Sequence, residues 1–174
     1  VAGTAAACAL ASAVIFPAAV LAQGARAHAA QVSAAVRRSR ELWATIDVCN
    51  PSDQPYTVGI RGSMPSDGQS SDAMMMRFRL QYLEPAMQRW TDLAGASSRF
   101  LSVGSSRAPR QAGRSFVLFA PAKGTTFMLR GVVSFQWRRG GHVVMAISRA
   151  TSTGHQSLAG ADPANYSAAT CRIR

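Results

Sequence analysis

The stretch Met74-Met75-Met76-Arg77-Phe78-Arg79-Leu80-Gln81-Tyr82-Leu83 decides how this chain is read. On an extended backbone Met74, Met76, Phe78, Leu80 and Tyr82 point one way, while Met75, Arg77, Arg79 and Gln81 point the other. Successive side chains of a strand alternate between faces, so this segment predicts a strand with one face in a core and one in water. Downstream, Phe127 to Arg138 and His142 to Arg149 alternate in the same way. Gly140-Gly141 stands between them, and glycine accepts the positive backbone angles of a tight hairpin turn. Phe127, Leu129, Val133, Phe135 and Trp137 are the expected core side of that hairpin.

Shorter segments of the same character fill the rest of the chain from Glu41. Leu42 to Cys49 reads as a strand ended by the turn composition Asn50-Pro51-Ser52-Asp53. Tyr56 to Arg61 follows, with Tyr56, Val58 and Ile60 on one face. Gln88 to Leu93, Phe100 to Val103 and Arg114 to Ala120 are further strands, the last expected to be buried on both sides. Thr151 to Ala169 is a polar loop, and Thr170 to Arg174 closes the chain as a short strand. Seven to nine strands without a long helix predict an all-β, antiparallel β-sandwich, with a closed barrel as the alternative architecture.

The first residues have a different character. Ala5 to Ala22 is almost wholly apolar and leads to Ala25-Arg26-Ala27-His28-Ala29-Ala30, small residues at the spacing of a signal peptidase site. No Lys or Arg precedes the run, and Pro17 interrupts it, which makes it marginal for spanning the ~30 Å hydrocarbon core of a membrane. A cleavable signal over residues 1–29 is therefore expected, with a retained anchor as the competing reading. Cys8 precedes the end of the apolar run, the wrong place for a lipid-attachment cysteine. Residues 30–40 carry Arg37, Arg38 and Arg40 with no acid, and read as a basic linker or a frayed helix. The β-sandwich domain is expected over residues 41–174, long enough for one core of ordinary size.

An exported domain would meet oxidising conditions with two cysteines, Cys49 near its start and Cys171 near its end. A bridge tying first strand to last is the expected reading, worth about 4 to 5 kcal/mol in the chain-entropy model for a loop of this size. Metal ligation and a reactive thiol are the weaker alternatives; for metal, neither cysteine has a nearby histidine or second cysteine pair. The formal charge is +11, and arginine supplies every basic residue except Lys123. The arginines are spread from Arg26 to Arg174, as a genome-wide preference for arginine would leave them. Such a charge still draws a protein toward anionic polymers and lipid head groups.

With these strands placed, a resemblance can be stated. Arg77-Phe78-Arg79-Leu80-Gln81-Tyr82, the turn leading to Trp90, Leu129-Arg130-Gly131-Val132-Val133-Ser134-Phe135-Gln136-Trp137 and the ending Tyr166-Ser167-Ala168-Ala169-Thr170-Cys171 resemble a group of exported actinobacterial proteins. That group has an immunoglobulin-like or fibronectin-III-like pattern, and the likeness covers roughly residues 42 to 174. It implies an immunoglobulin-like sandwich and export, and carries over no activity and no catalytic residues. Cys49 and Cys171 lie too far apart to reproduce the antibody-type arrangement of two cysteines and a tryptophan.

Motifs of chemistry are sparse. The chain has no Gly-x-Ser-x-Gly elbow, phosphate-binding loop, dinucleotide fingerprint or His-Glu-x-x-His. His155 shares a polar loop with Asp162 and several serines, but the spacing does not single out a Ser-His-Asp set. Asp67 and Asp72 flank Gly68-Gln69-Ser70-Ser71 without the ligand rhythm of a calcium loop. No catalytic residue and no cofactor are expected.

Two binding readings remain. Arg61, Arg77, Arg79, Arg130 and Arg138 all fall on outward strand positions, and strands lie about 4.8 Å apart, so several can share one basic face. A solvated exterior built from the favoured charged residue explains the same positions. As a site, that face suits an anionic wall polymer, glycan or lipid surface; few aromatics interleave with it, which disfavours nucleic acid. The alternative is an extracytoplasmic copper-binding protein. Cleavage after Ala27 would leave His28 as an amino-terminal chelate for Cu(II), with Met74, Met75 and Met76 as thioether ligands. Methionines on the apolar face of a strand more often fill core. The sequence thus reads as a secreted, non-catalytic binding or envelope-associated module, with the copper protein second and a hydrolase third.

Overall fold

The computed structural model describes residues 18–155 and 159–174; most of the apolar N-terminal run, with Cys8, lies outside the described residues. One helix, α1 (Ala18–Arg38), precedes nine strands: β1 (Trp43–Cys49), β2 (Thr57–Met64), β3 (Ala73–Glu84), β4 (Arg89–Ser97), β5 (Leu101–Ser105), β6 (Arg110–Val117), β7 (Phe127–Arg139), β8 (His142–Ala150) and β9 (Cys171–Ile173). Every expected strand is present, with ends that differ by a few residues.

The strands form two antiparallel sheets, one of three strands in the order β1-β2-β6 and one of six. The larger sheet has four columns. Its two long strands, β3 and β7, run side by side from Ala73↔Arg138 to Tyr82↔Leu129. The far edge of β3 is shared by β4 and β5, and that of β7 by β8 and β9. The turn between β7 and β8 uses Gly140 at φ 54° and Gly141 at φ 85°, as the two-glycine reading required.

Alternation in the long strands is what packs the two sheets together. Met74, Met76, Phe78 and Leu80 of β3, with Leu129, Val133, Phe135 and Trp137 of β7, are buried against Ile46, Val58, Ile60 and Met64 from the smaller sheet. Each such side chain contributes roughly 1.5–3 kcal/mol by leaving water. Trp137 keeps its one polar atom satisfied by donating from Nε1 to the Pro65 carbonyl at 3.2 Å. At Gly131 the sheets come so close that a Cβ would lie 2.7 Å from Thr151 Cγ2 and 2.9 Å from Ile60 Cδ1.

Cys49 and Cys171 are bonded, and the bridge links β1 of one sheet to β9 of the other, as the first-to-last reading expected. A persistent disulfide points to an oxidising, extracytoplasmic setting. Among the described residues, no helix is long and apolar enough to cross a membrane.

One reading changes in the folded chain, and one pair of alternatives is decided. The segment Arg114 to Ala120 is not buried on both sides: the strand runs from Arg110 to Val117, Val117 is 78% exposed and Phe119 95%. β6 is an edge strand of a sheet whose outer face, among the described residues, carries no further layer, so its outward residues meet solvent. Of the linker and frayed-helix alternatives for residues 30–40, the chain is helical through Arg38. Val32 and Val36, four residues apart and so on one helix face, pack on the core, and Arg149 donates to the Arg37 carbonyl at 2.9 Å. A cation near the last carbonyls favours a helix end.

Candidate functional site

The outer face of the six-stranded sheet gathers four of the five arginines singled out from the sequence. Register fixes the pattern: Gln81 stands opposite Arg130, Arg79 opposite Val132, Arg77 opposite Ser134 and Ala73 opposite Arg138. Arg130 is therefore diagonal to Arg79, within reach for long side chains, and Arg138 extends the row toward the other end of β7. Arg61 is not part of this face. It belongs to β2 in the smaller sheet, where Nε pairs with the buried Asp47 at 2.8 Å and the guanidinium also donates to the Ala159 carbonyl at 2.7 Å.

Three of the four arginines of the face are held by neutral neighbours. Arg77 donates to Ser97 Oγ at 2.9 Å. Arg130 donates from Nε to Gln81 Oε1 at 2.8 Å, and its guanidinium carbon lies 4.5 Å from the centre of the Trp90 ring. Partial burial lowers the Arg130 pKa from its usual value. Arg138 donates twice to Gln136 Oε1, at 3.0 and 2.7 Å, and stands 5.4 Å from the Phe100 ring centre. Among the described residues, Arg79 alone of the four meets a carboxylate, Asp92 at 2.7 Å. Asp92 also accepts from Gln81 at 2.7 Å; that hydrogen bond and the positive charge of Arg79 hold its carboxyl below the usual range.

The result is a half-buried array in which a serine, two glutamines and two aromatic rings hold Arg77, Arg130 and Arg138 without cancelling their charge. Arginine's planar fork loses less freedom per hydrogen bond than lysine's ammonium, so pre-oriented arginines suit carboxylate, sulfate or phosphate groups. Alternation in the sequence marks the arginines. It does not mark Trp90, Phe100, Gln81 and Gln136 as their supports, because those contacts depend on which strands are neighbours.

The residues of the copper reading are not drawn into one cluster. Met74 and Met76 are fully buried in the core, Met75 lies on the opposite face of β3, and His28 is an exposed residue of α1. His28 and Met145 do line one recess of about 420 Å³ together with Asp67 and Arg139. Among the described residues there is no group of three or more His, Cys, Asp or Glu side chains placed to hold a metal ion.

His155 Nε2 lies 3.3 Å from Ser152 Oγ, and its ring stacks on Trp43 with centroids 4.3 Å apart. Burial lowers its pKa. Among the described residues no carboxylate hydrogen-bonds to this ring, so the third member of a Ser-His-Asp set is missing.

No family model matches the chain, and no curated protein matches it. Among solved structures it is similar to the alkylpurine DNA glycosylase AlkC of Pseudomonas fluorescens, solved bound to DNA containing an abasic-site analogue, with 12% identity and a TM-score of 0.34. The likeness covers 64% of this chain and 29% of the glycosylase, a level at which neither fold nor activity transfers.

Proposed function

We propose that the chain is an exported, non-catalytic binding module of immunoglobulin-like architecture that holds anionic envelope polymers on the outer face of its six-stranded sheet. The strand order supports the architecture: the first, second and sixth strands share one sheet while the third, seventh and eighth share the other. Immunoglobulin-like sandwiches divide their strands in this way, with β4 here as the added strand beside the third. The bridge from β1 to β9 is this chain's own variation on an inter-sheet disulfide. The disulfide and the small-residue segment Ala25–Ala30 support export.

The observation that carries the binding reading is the set of Arg77, Arg130 and Arg138, oriented by Ser97, Gln81, Gln136 and two aromatic rings but facing no acid of their own. A surface selected only for solubility has no need to hold its guanidinium groups in place. The test is retention on an immobilised polyanion, with Arg77→Gln, Arg130→Gln and Arg138→Gln combined. A control removes equal charge at the exposed Arg40, Arg107 and Arg174. The face variant is expected to elute at clearly lower salt than the control, since screening by salt weakens exposed charge contacts. Equal losses in the two would sink the reading and leave only a diffuse basic surface.

A further inference from the structure

The smaller sheet has three strands and faces a sheet of four columns. Its strands lie over the columns of β3, β7 and β8, and where a fourth would stand, between β4 and the end of β6, an open cleft of about 840 Å³ remains. Tyr82, Leu93, Ala96, Phe116, Leu118 and Phe127 give it apolar walls. That volume falls within the ~300–1,000 Å³ of small-molecule sites, which are mostly apolar with a few placed polar groups.

One cation is placed here; the acid that shares the lining, Asp92, is held by Arg79 and Gln81. Arg114 pairs with the inward-facing Ile60, so it stands on the inner side of β6 at the wall of the cleft. Among the described residues its side chain makes no hydrogen bond and no ion pair. Beside it the chain leaves the sheet through Val117, Leu118 and Phe119, and two of these three apolar residues are displayed to solvent, Phe119 almost completely. A soluble domain gains nothing in folding free energy from an exposed phenylalanine at the mouth of an apolar cleft; an apolar ligand entering from a lipid phase or micelle would cover it.

We propose that this cleft binds a single-chain anionic amphiphile of the fatty-acid class, with its acyl chain between β4 and β6 and its carboxylate on Arg114. The charge complementarity of one unpaired arginine and the apolar lining select this occupant over an extended peptide. A peptide would need the free edge of β6, and Arg114 gives no reason for a carboxylate to sit inside the cleft on such a strand. Arg114 belongs to the smaller sheet and Arg77, Arg130 and Arg138 to the outer face of the larger, and the two adjoin at Asp92, which lines the cleft and pairs with Arg79.

The experiment uses the purified full chain and an undecanoic acid probe carrying a terminal dansyl group, displaced by laurate or by lauryl alcohol. Saturable one-to-one probe binding is expected, with laurate displacing it better than the alcohol. Arg114→Gln is expected to weaken laurate at least about tenfold, down to the level of the alcohol, as loss of a charge-assisted hydrogen bond predicts. Leu93→Trp, which narrows the cleft, and Phe119→Ser, at a residue too exposed to support the fold, are each expected to weaken binding. The variant lacking Arg77, Arg130 and Arg138 is expected to bind laurate normally, so failure of the polyanion reading and failure of this one are told apart. No probe binding, laurate affinity unchanged in Arg114→Gln, or a dimer that seals the cleft and is broken by Phe119→Ser would each overturn the proposal.

Discussion

Asp72 is the residue where sequence and fold differ most in what they reveal. As a letter in Ser70-Ser71-Asp72 it reads as a loop acid, yet it is fully buried and receives both Nε and an Nη of Arg139 at 2.8 Å. The hydrogen bonds from Arg139 hold its carboxyl below the ordinary value of 3.8, against the opposing effect of burial. A carboxyl depressed in the folded state stabilises the fold above its unfolded pKa, and that stability is lost as pH falls through the folded value. Arg139→Ala is expected to lower the Tm at neutral pH more than Asp72→Asn does, because it leaves a buried charge without its partner. The gap between Arg139→Ala and wild type should narrow on acidification below the ordinary carboxylate value, as Asp72 takes up a proton. Thermal melts across a pH series check both; a gap that widens in acid would contradict the assignment.

At the scale of elements, alternation in β3 and β7 is legible because a strand with one buried face must write its environment into every second residue. All nine strands follow from that signal and from turn residues. The two faces of β6 are not legible in this way, since an apolar run does not reveal whether a second layer covers it; only the strand order shows that none covers Val117 and Phe119. The helical state of Gln31–Arg38 is hidden for a related reason: two valines four residues apart are too sparse a stripe to announce that they meet a core. Gly131 is a position where β7 itself reports the packing. A methyl group there would overlap Thr151 and Ile60, so Gly131→Ala is expected to cost about 1–3 kcal/mol by overpacking, measured by denaturant unfolding. The same substitution at the open Gly95 is limited instead by its φ of 76°, a strain of the backbone and not of the core.

For the molecule as a whole, the bridge between Cys49 and Cys171 closes the chain over a separation of 122 residues and joins the two sheets. Reduction, or Cys49→Ser with Cys171→Ser, is expected to remove about 2–5 kcal/mol and lower the Tm, with the pleated sheets themselves retained by circular dichroism at low temperature. No change on reduction would mean that the packed core alone holds the sheets together. The two open sides of the sandwich are treated differently: α1 meets the core with Val32 and Val36 near β8, whereas the side between β4 and β6 stays open. The cleft thus opens at one side of the sandwich while the arginines Arg77, Arg130 and Arg138 lie on the outer face of the larger sheet, so the two proposals can be tested with different variants.

By itself the sequence determined the β class, the positions of the strands, the side of each long strand that would be buried, and the pairing of its two late cysteines, because period-two patterning and redox chemistry are local or nearly so. It also marked the arginines that would point outward. Which of them would stand together was decided only in the tertiary structure, since the residue that orients Arg130 is Gln81, 49 positions earlier in the chain and brought opposite it by the pairing of β3 with β7. Pairing across that distance placed Trp90 against Arg130, assigned Arg61 to the other sheet, and left Arg114 alone at an apolar cleft. These are properties of neighbours brought together by packing, and no local pattern of residues carries them.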